Sequence, residues 1–119
     1  YATEAANAAP LSPAFGAGKP VEIAYTPSFA DGIAGKVVFP EMWTRASALL
    51  DGAFTATEDE MRGAVRLLAE RNRVIAEGAG ACPVAVALSG KAGGGKIVCV
   101  VSGGNIDFRL LAEILTGVA

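Results

Sequence analysis

Histidine is missing altogether from the 119 residues of this chain. That gap removes a Ser-His-Asp triad, a Cys-His pair and every imidazole-based metal site. Cysteine occurs only as Cys82 and Cys99. Cys99 falls inside an apolar run, so a buried reduced thiol is expected rather than a disulfide. Charged residues make up 18% of the chain and nearly cancel, leaving a formal net charge of -2. There is no basic block and no basic face interleaved with aromatics, so nucleic acid finds no footprint. No apolar run approaches the roughly 20 residues a membrane-spanning helix needs. Without a secretory or transit pattern, the cytoplasm is the expected compartment.

Small apolar residues are plentiful instead. Hydrophobic residues are 52% of the sequence, beside 15 glycines. That composition predicts one compact unit, residues 1–119, with its own core. The chain opens at Tyr1 without methionine, and Tyr1 to Thr3 (YAT) reads as a strand already under way. It is therefore expected to be the later part of a longer protein.

A short helix is predicted from Ser12 to Ala17, ended by Gly16 and Gly18. Val21 to Ala24 reads as a strand, and Thr26 to Lys36 as a loop turning at Asp31-Gly32. A helix follows from Pro40 to Leu50, with the proline in its first turn, where a missing N–H costs little. Ala53 to Ala56 reads as a buried strand. Thr57 and Glu60 then have the spacing of a capping box. Met61, Ala64, Val65 and Leu68 share one helical face, which predicts core packing. Glu77 to Gly80 interrupts that pattern, and Cys82 to Leu88 resumes it as a small-residue helix. Ile97 to Val101 is a β-branched run of the kind that forms a central parallel strand covered on both faces. Arg109 to Leu115 is an amphipathic helix beginning near Ile106 or Asp107. Alternating strands and helices predict an α/β fold: three layers, a mainly parallel sheet, helices on both faces.

Several motifs need weighing. Gly90 to Ile97 (GKAGGGKI) nearly matches a phosphate-binding loop, but Ile97 stands where a magnesium-binding hydroxyl is required. The loop also leads into the predicted strand rather than out of one, so it is rejected. Lys91 follows Ser89-Gly90, yet beside Gly93 to Gly95 it reads as a solvated loop lysine. Glu77, in an otherwise apolar stretch, is either an acid facing a site or a helix cap at the surface. Asp31 is open in the same way, with an Asx turn as the plainer account. Ser102-Gly103-Gly104-Asn105 stands between predicted strand and helix, where ligands gather in parallel sheets. Phosphate on the helix N-terminus is one reading of it. Asp107 and the lack of a local cation favour another, a neutral aromatic nitrogen bound by the Ser102 hydroxyl.

Three ordered motifs, SFADGIAGK (Ser28 to Lys36), GAVRLLAERNRVIAEGAGA (Gly63 to Ala81) and KIVCVVSGGNID (Lys96 to Asp107), carry a resemblance. The chain resembles the C-terminal portion of the pyridoxal-phosphate-dependent threonine/serine dehydratases, fold-type II enzymes related to serine racemase and the tryptophan synthase β-subunit. The likeness runs from Tyr1 to about Leu111. It implies pyridoxal 5'-phosphate as cofactor, an amino acid as substrate and a homo-oligomer as assembly. By resemblance, Ser102 and the adjacent Gly103 lie at the cofactor, with the Ser102 hydroxyl on its pyridine nitrogen. Gly32 lines the pocket through its backbone, Glu77 lies beside the ring, and Asp31 is on the substrate side. A hydroxyl leaves that nitrogen largely unprotonated, which suits β-elimination to a 2-oxo acid and ammonia.

The family's Schiff-base lysine and Gly-rich phosphate loop belong to an N-terminal segment upstream of these motifs. The 119 residues alone are therefore expected to be inactive. A serine-type racemase on the same scaffold and a non-catalytic binding module are the alternatives. Some relatives hold a divalent cation through a Glu, a carbonyl four residues on and an acid two residues later. Glu4 and Ala8 match the first two, but Pro10 replaces the acid, so that metal site is expected to be lost.

Overall fold

The computed structural model describes residues 1–117. Strand β1 (Ala2–Ala5) pairs in parallel with β2 (Ala53–Ala56), in the register Ala2 with Ala53 and Ala5 with Ala56. The long crossover between them carries two helices, α1 (Leu11–Ala17) and α2 (Pro40–Leu49), and a single 3₁₀ turn at Asp31–Ile33. Then come α3 (Glu58–Leu67), a π-helical turn at Leu68–Asn72, α4 (Gly78–Leu88) and α5 (Phe108–Thr116). Parallel pairing across a helical crossover makes this an α/β fold.

The start of α3 forms as its sequence predicts. The Thr57 hydroxyl accepts from the Glu60 amide at 3.2 Å, and the Glu60 carboxylate accepts from the Thr57 amide at 2.7 Å. Met61, Ala64 and Val65 are fully buried on the inner face, with Leu68 continuing it. They pack against Ala81, Cys82, Ala85 and Val86 of α4, which in turn lies on both strands. Burial of Met61 and Val65 is worth roughly 1.5–3 kcal/mol each. α3 runs out through the π turn, where Arg73 takes a left-handed φ of 59° and sends the chain back toward α4. On α5, Leu111 and Ile114 are buried toward α3.

Three expectations are corrected and a fourth is refined. Val21 to Ala24 forms no strand; Ile23 makes one hydrogen bond, its amide donating to the Lys36 carbonyl at 2.8 Å. One bond across a loop is no ladder. Ile97 to Val101 is also not a strand among the described residues. Cys99 turns inward, its thiol 3.4 Å from the Pro83 carbonyl, while Val98 and Val100 stand 91% and 71% exposed. A trough of about 400 Å³, walled by Thr3 and Phe54 on one side and by Val98 to Val100 on the other, separates the run from the sheet. High β-propensity makes no strand without a neighbour's amides and carbonyls to pair with.

The small-residue helix is the third correction. It starts at Gly78, four residues before the expected Cys82, so the Glu77–Gly80 "break" is its first turn. Of the glycines that read as a stop, Gly80 allows close approach of the Gly103 backbone and Gly78 makes room for the Phe29 ring and Ala30 Cβ. Pro83 lies in the middle of α4, where it removes one helical hydrogen bond. Finally, Lys91 is an exposed loop lysine as expected, but it is not free. Its ammonium donates to both carboxylate oxygens of Glu60 at 2.9 Å and to the Thr55 carbonyl at 3.0 Å, tying the turn after α4 to the β2–α3 junction.

Candidate functional site

The residues singled out in the sequence converge on the first turn of α4. Glu77 is its N-cap residue, half-buried and extended at φ -80° and ψ 169°. The Glu77 amide donates to the Gly103 carbonyl at 3.1 Å, and its carboxylate lies directly over the Gly103 Cα. Any side chain at position 103 would overlap Glu77 Oε1. A β-carbon at Gly80 would stand 2.5 Å from the Gly103 oxygen, and one at Gly104 would overlap the Ile75 carbonyl oxygen. The Ser102–Gly104 loop is thus pressed onto residues 75–80, at Gly80 and Gly104 against backbone that leaves room only for glycine.

The other side of that turn meets the 3₁₀ segment. A β-carbon at Gly32 would lie 3.3 Å from Ala79 Cβ, and one at Gly78 would lie 2.7 Å from the Phe29 ring. Phe29 is held under the Arg62 guanidinium, 4.9 Å from the ring centroid. Gly32, Glu77 and Gly103 therefore sit around one helix turn, with Ser102 next to Gly103. The Ser102 hydroxyl is exposed and has no hydrogen-bond partner among the described residues. Asp31 is exposed and its side chain makes no hydrogen bond, so it forms no Asx turn; its carbonyl accepts from the Ala34 amide at 3.1 Å.

The phosphate reading of the same loop loses its donors. Asp107 Oδ1 accepts from the Arg109 amide at 2.8 Å and the Leu110 amide at 3.2 Å. The N-terminus of α5 is capped from within by a negative group, which repels an anion.

Glu4 and Ala8 lie elsewhere, at the end of β1. Glu4 is buried against the start of α1, and no cluster of three or more metal-ligating acids, cysteines or histidines occurs among the described residues. An apolar groove of about 440 Å³ between β1 and α2 runs past Glu4, lined by Ile33, Val38, Met42 and Leu49. It includes none of Ser102, Gly103 or Glu77. Sequence reasoning passed over the supports of the site, Phe29, Gly78, Gly80 and Gly104. The signal was available: glycines spaced Gly78-x-Gly80 and paired at Gly103-Gly104, in segments that must meet back to back.

Comparison with known proteins gives the arrangement a context. A family model described as "Pyridoxal-phosphate dependent enzyme" matches residues 1–103. A threonine dehydratase-type protein of Sinorhizobium fredii is 41% identical over 106 residues, which cover 86% of this chain and 32% of the relative. The processed form of threonine deaminase isoform 2 from Solanum lycopersicum superposes with a TM-score of 0.81 at 27% identity, over 98% of this chain and 35% of that one. Maize serine racemase superposes at 0.80 with 26% identity, over 96% of this chain and 38% of its own. The chain spans about a third of the length of the proteins it matches. The turn where Gly32, Glu77 and Gly103 meet lies within the matched segment, and this chain belongs to the pyridoxal-phosphate dependent enzymes of fold-type II.

Proposed function

We propose that this chain forms the wall of a threonine/serine ammonia-lyase that faces the pyridine nitrogen of pyridoxal 5'-phosphate. The observation that carries this reading is the Ser102 hydroxyl, exposed and unpartnered among the described residues on a loop immobilised by Gly80 and Gly104. The residues present fit one side of the cofactor. A flat aromatic ring needs backbone it can approach closely, which Gly103 supplies, and one neutral hydrogen-bond donor at its edge, which Ser102 supplies. When bound, the cofactor supplies the electron sink that makes the α C–H of an amino acid acidic.

What this chain's residues do is orient and tune. Ser102 Oγ donates to the ring nitrogen and offers it no proton to keep, because a hydroxyl is far too weak an acid at neutral pH. By leaving that nitrogen unprotonated, Ser102 would suit the site to β-elimination. The products are a 2-oxo acid and ammonia. Glu77 stands beside the ring, braced through its amide on the Gly103 carbonyl. Gly32 contributes backbone to the pocket, and Asp31, on its exposed turn, faces the substrate. The lysine that bonds the cofactor and the phosphate cradle belong to a segment of the enzyme preceding these residues, so the 119 residues alone are inactive. The intact enzyme is a homo-oligomer.

The test is Ser102→Ala in the intact enzyme. Cofactor affinity and the visible absorbance of the bound cofactor are retained, while 2-oxo acid release slows about tenfold, the worth of roughly one hydrogen bond of 1–1.5 kcal/mol. Unchanged kcat with intact absorbance refutes the role of Ser102. A serine racemase is the second reading, supported by the likeness to the maize enzyme. Chiral analysis of the recovered amino acid separates the two: a racemase accumulates the D-isomer faster than the 2-oxo acid.

A further inference from the structure

We infer that Glu4 has exchanged the divalent cation held by some relatives for the first-turn amides of α1, so that this chain closes its β1–α1 loop without metal. Glu4 lies at the end of β1 and is 5% exposed. A carboxylate taken that far out of water requires compensation. Here it comes from three donors: the Leu11 amide to Oε1 at 2.7 Å, and the Ser12 amide and Ser12 Oγ to Oε2 at 2.9 and 2.7 Å. These are the short distances of charge-assisted hydrogen bonds.

Three of the roughly four lone-pair positions on this carboxylate are already taken, which leaves a cation little of it to bind. Calcium and magnesium take about six to eight oxygen ligands, and both oxygens of Glu4 are instead met by the positive ends of N–H and O–H groups. A cation at this carboxylate would also lie close to the positive ends of those donors. The third ligand position carries Pro10, which offers no oxygen beyond its carbonyl, and that carbonyl accepts from the Ala14 amide at 3.3 Å. Pro10 also fits the observed arrangement. It holds φ at -76° where α1 begins, and the next two residues turn their amides back onto Glu4. The clamp spans the loop Ala5 to Pro10, the segment a metal would otherwise knit together, and Ala8 within it is buried at 1% exposure.

The inference is independent of which reaction the enzyme performs, and thermal unfolding of the intact protein tests it. Millimolar Mg²⁺, Ca²⁺ or EDTA should leave Tm within about 1 °C, because a ligand that does not bind the native state cannot raise its stability. Glu4→Gln should lower Tm by several degrees, on the order of 5 °C, with cations still without effect. A saturable rise in Tm with either cation that Glu4→Gln abolishes overturns the inference. A rise that survives Glu4→Gln places the cation elsewhere and leaves Glu4 with the amides. Where Glu4→Gln gives no folded protein, Ser12→Ala takes its place. A fall in Tm without a cation response supports the clamp, and an unchanged Tm overturns it.

Discussion

Gly80→Ala adds one methyl group in the first turn of α4, against the loop that bears Ser102. The new carbon would stand 2.5 Å from the Gly103 oxygen and 3.0 Å from the Gly103 nitrogen, where ordinary contact begins at 3.4 Å. Both neighbours are backbone, so no side chain can rotate away. The Ser102–Gly104 segment must retreat by about 0.9 Å, the shortfall between 2.5 and 3.4 Å, an overpacking of the kind that costs 1–3 kcal/mol. Retreat also stretches the bond from the Glu77 amide to the Gly103 carbonyl, now 3.1 Å, for about 1 kcal/mol more. Against this, alanine is the better helix former by about 1 kcal/mol. The net expectation is destabilisation of about 1–3 kcal/mol, and a misplacement near 1 Å at a binding wall can lower kcat/KM about 100-fold. The control is Gly63→Ala in α3, where a β-carbon meets nothing within 4 Å. There helix propensity acts alone, and a gain of up to about 1 kcal/mol is expected. Urea unfolding and cofactor titration of both variants decide the matter. If Gly80→Ala is as stable as Gly63→Ala and binds cofactor as the parent does, the close approach is not what holds the loop.

Thr57→Ala removes one half of the capping box at the start of α3 and should cost about 1 kcal/mol in urea unfolding. The Glu60 carboxyl is held below its ordinary value of 4.5, chiefly by the Thr57 amide and then by the Lys91 ammonium. Its folded pKa is depressed, so its contribution is fully present above pH 4.5 and is lost as pH falls below that value. Lys91→Met should narrow that acid-side loss while changing neutral-pH stability by no more than about 1 kcal/mol, as befits a partly exposed pair; an acid limb identical to the parent's argues against the pairing. Cys82 is buried and its thiol is pushed up by desolvation, partly offset by the Thr3 hydroxyl. Alkylation of the native protein at pH 8 should therefore reach half-buried Cys99 first and Cys82 only on unfolding; peptide mass spectrometry of the modified chain checks the order.

Local signals were readable where the local chain decides the outcome. The box at Thr57 and Glu60 and the face of Met61, Ala64, Val65 and Leu68 depend on residues within a few turns of one another, and each formed as spaced. The same holds for β1 and β2, short as they are. Legibility failed where a distant partner decides. Ile97 to Val101 has every intrinsic mark of a strand, yet a ladder is a property of two segments. Gly78 and Gly80 read as helix breakers because propensity sees only the missing side chain, whereas the fold uses the space that absence leaves. The ion pair of Lys91 went unread because nothing nearby in sequence announces Glu60. At the candidate site, residue identities pointed to Ser102, Gly103, Glu77 and Gly32, but their meeting around one turn of α4 required the folded backbone.

The open run at Ile97 to Val101 also bears on handling. Lys96 to Val101 (KIVCVV) is β-branched, carries no proline or glycine and has a single charge at one end. Segments of that composition template extended chains, and with Val98 and Val100 facing water this one offers both its main chain and its side chains. Produced alone, these 119 residues should precipitate or form β-rich assemblies at concentrations where the intact enzyme stays clear. A charge placed outward at position 98 should slow that conversion without touching α3 or α4. Solubility here is set by a few exposed valines, and turbidity against time will read it directly.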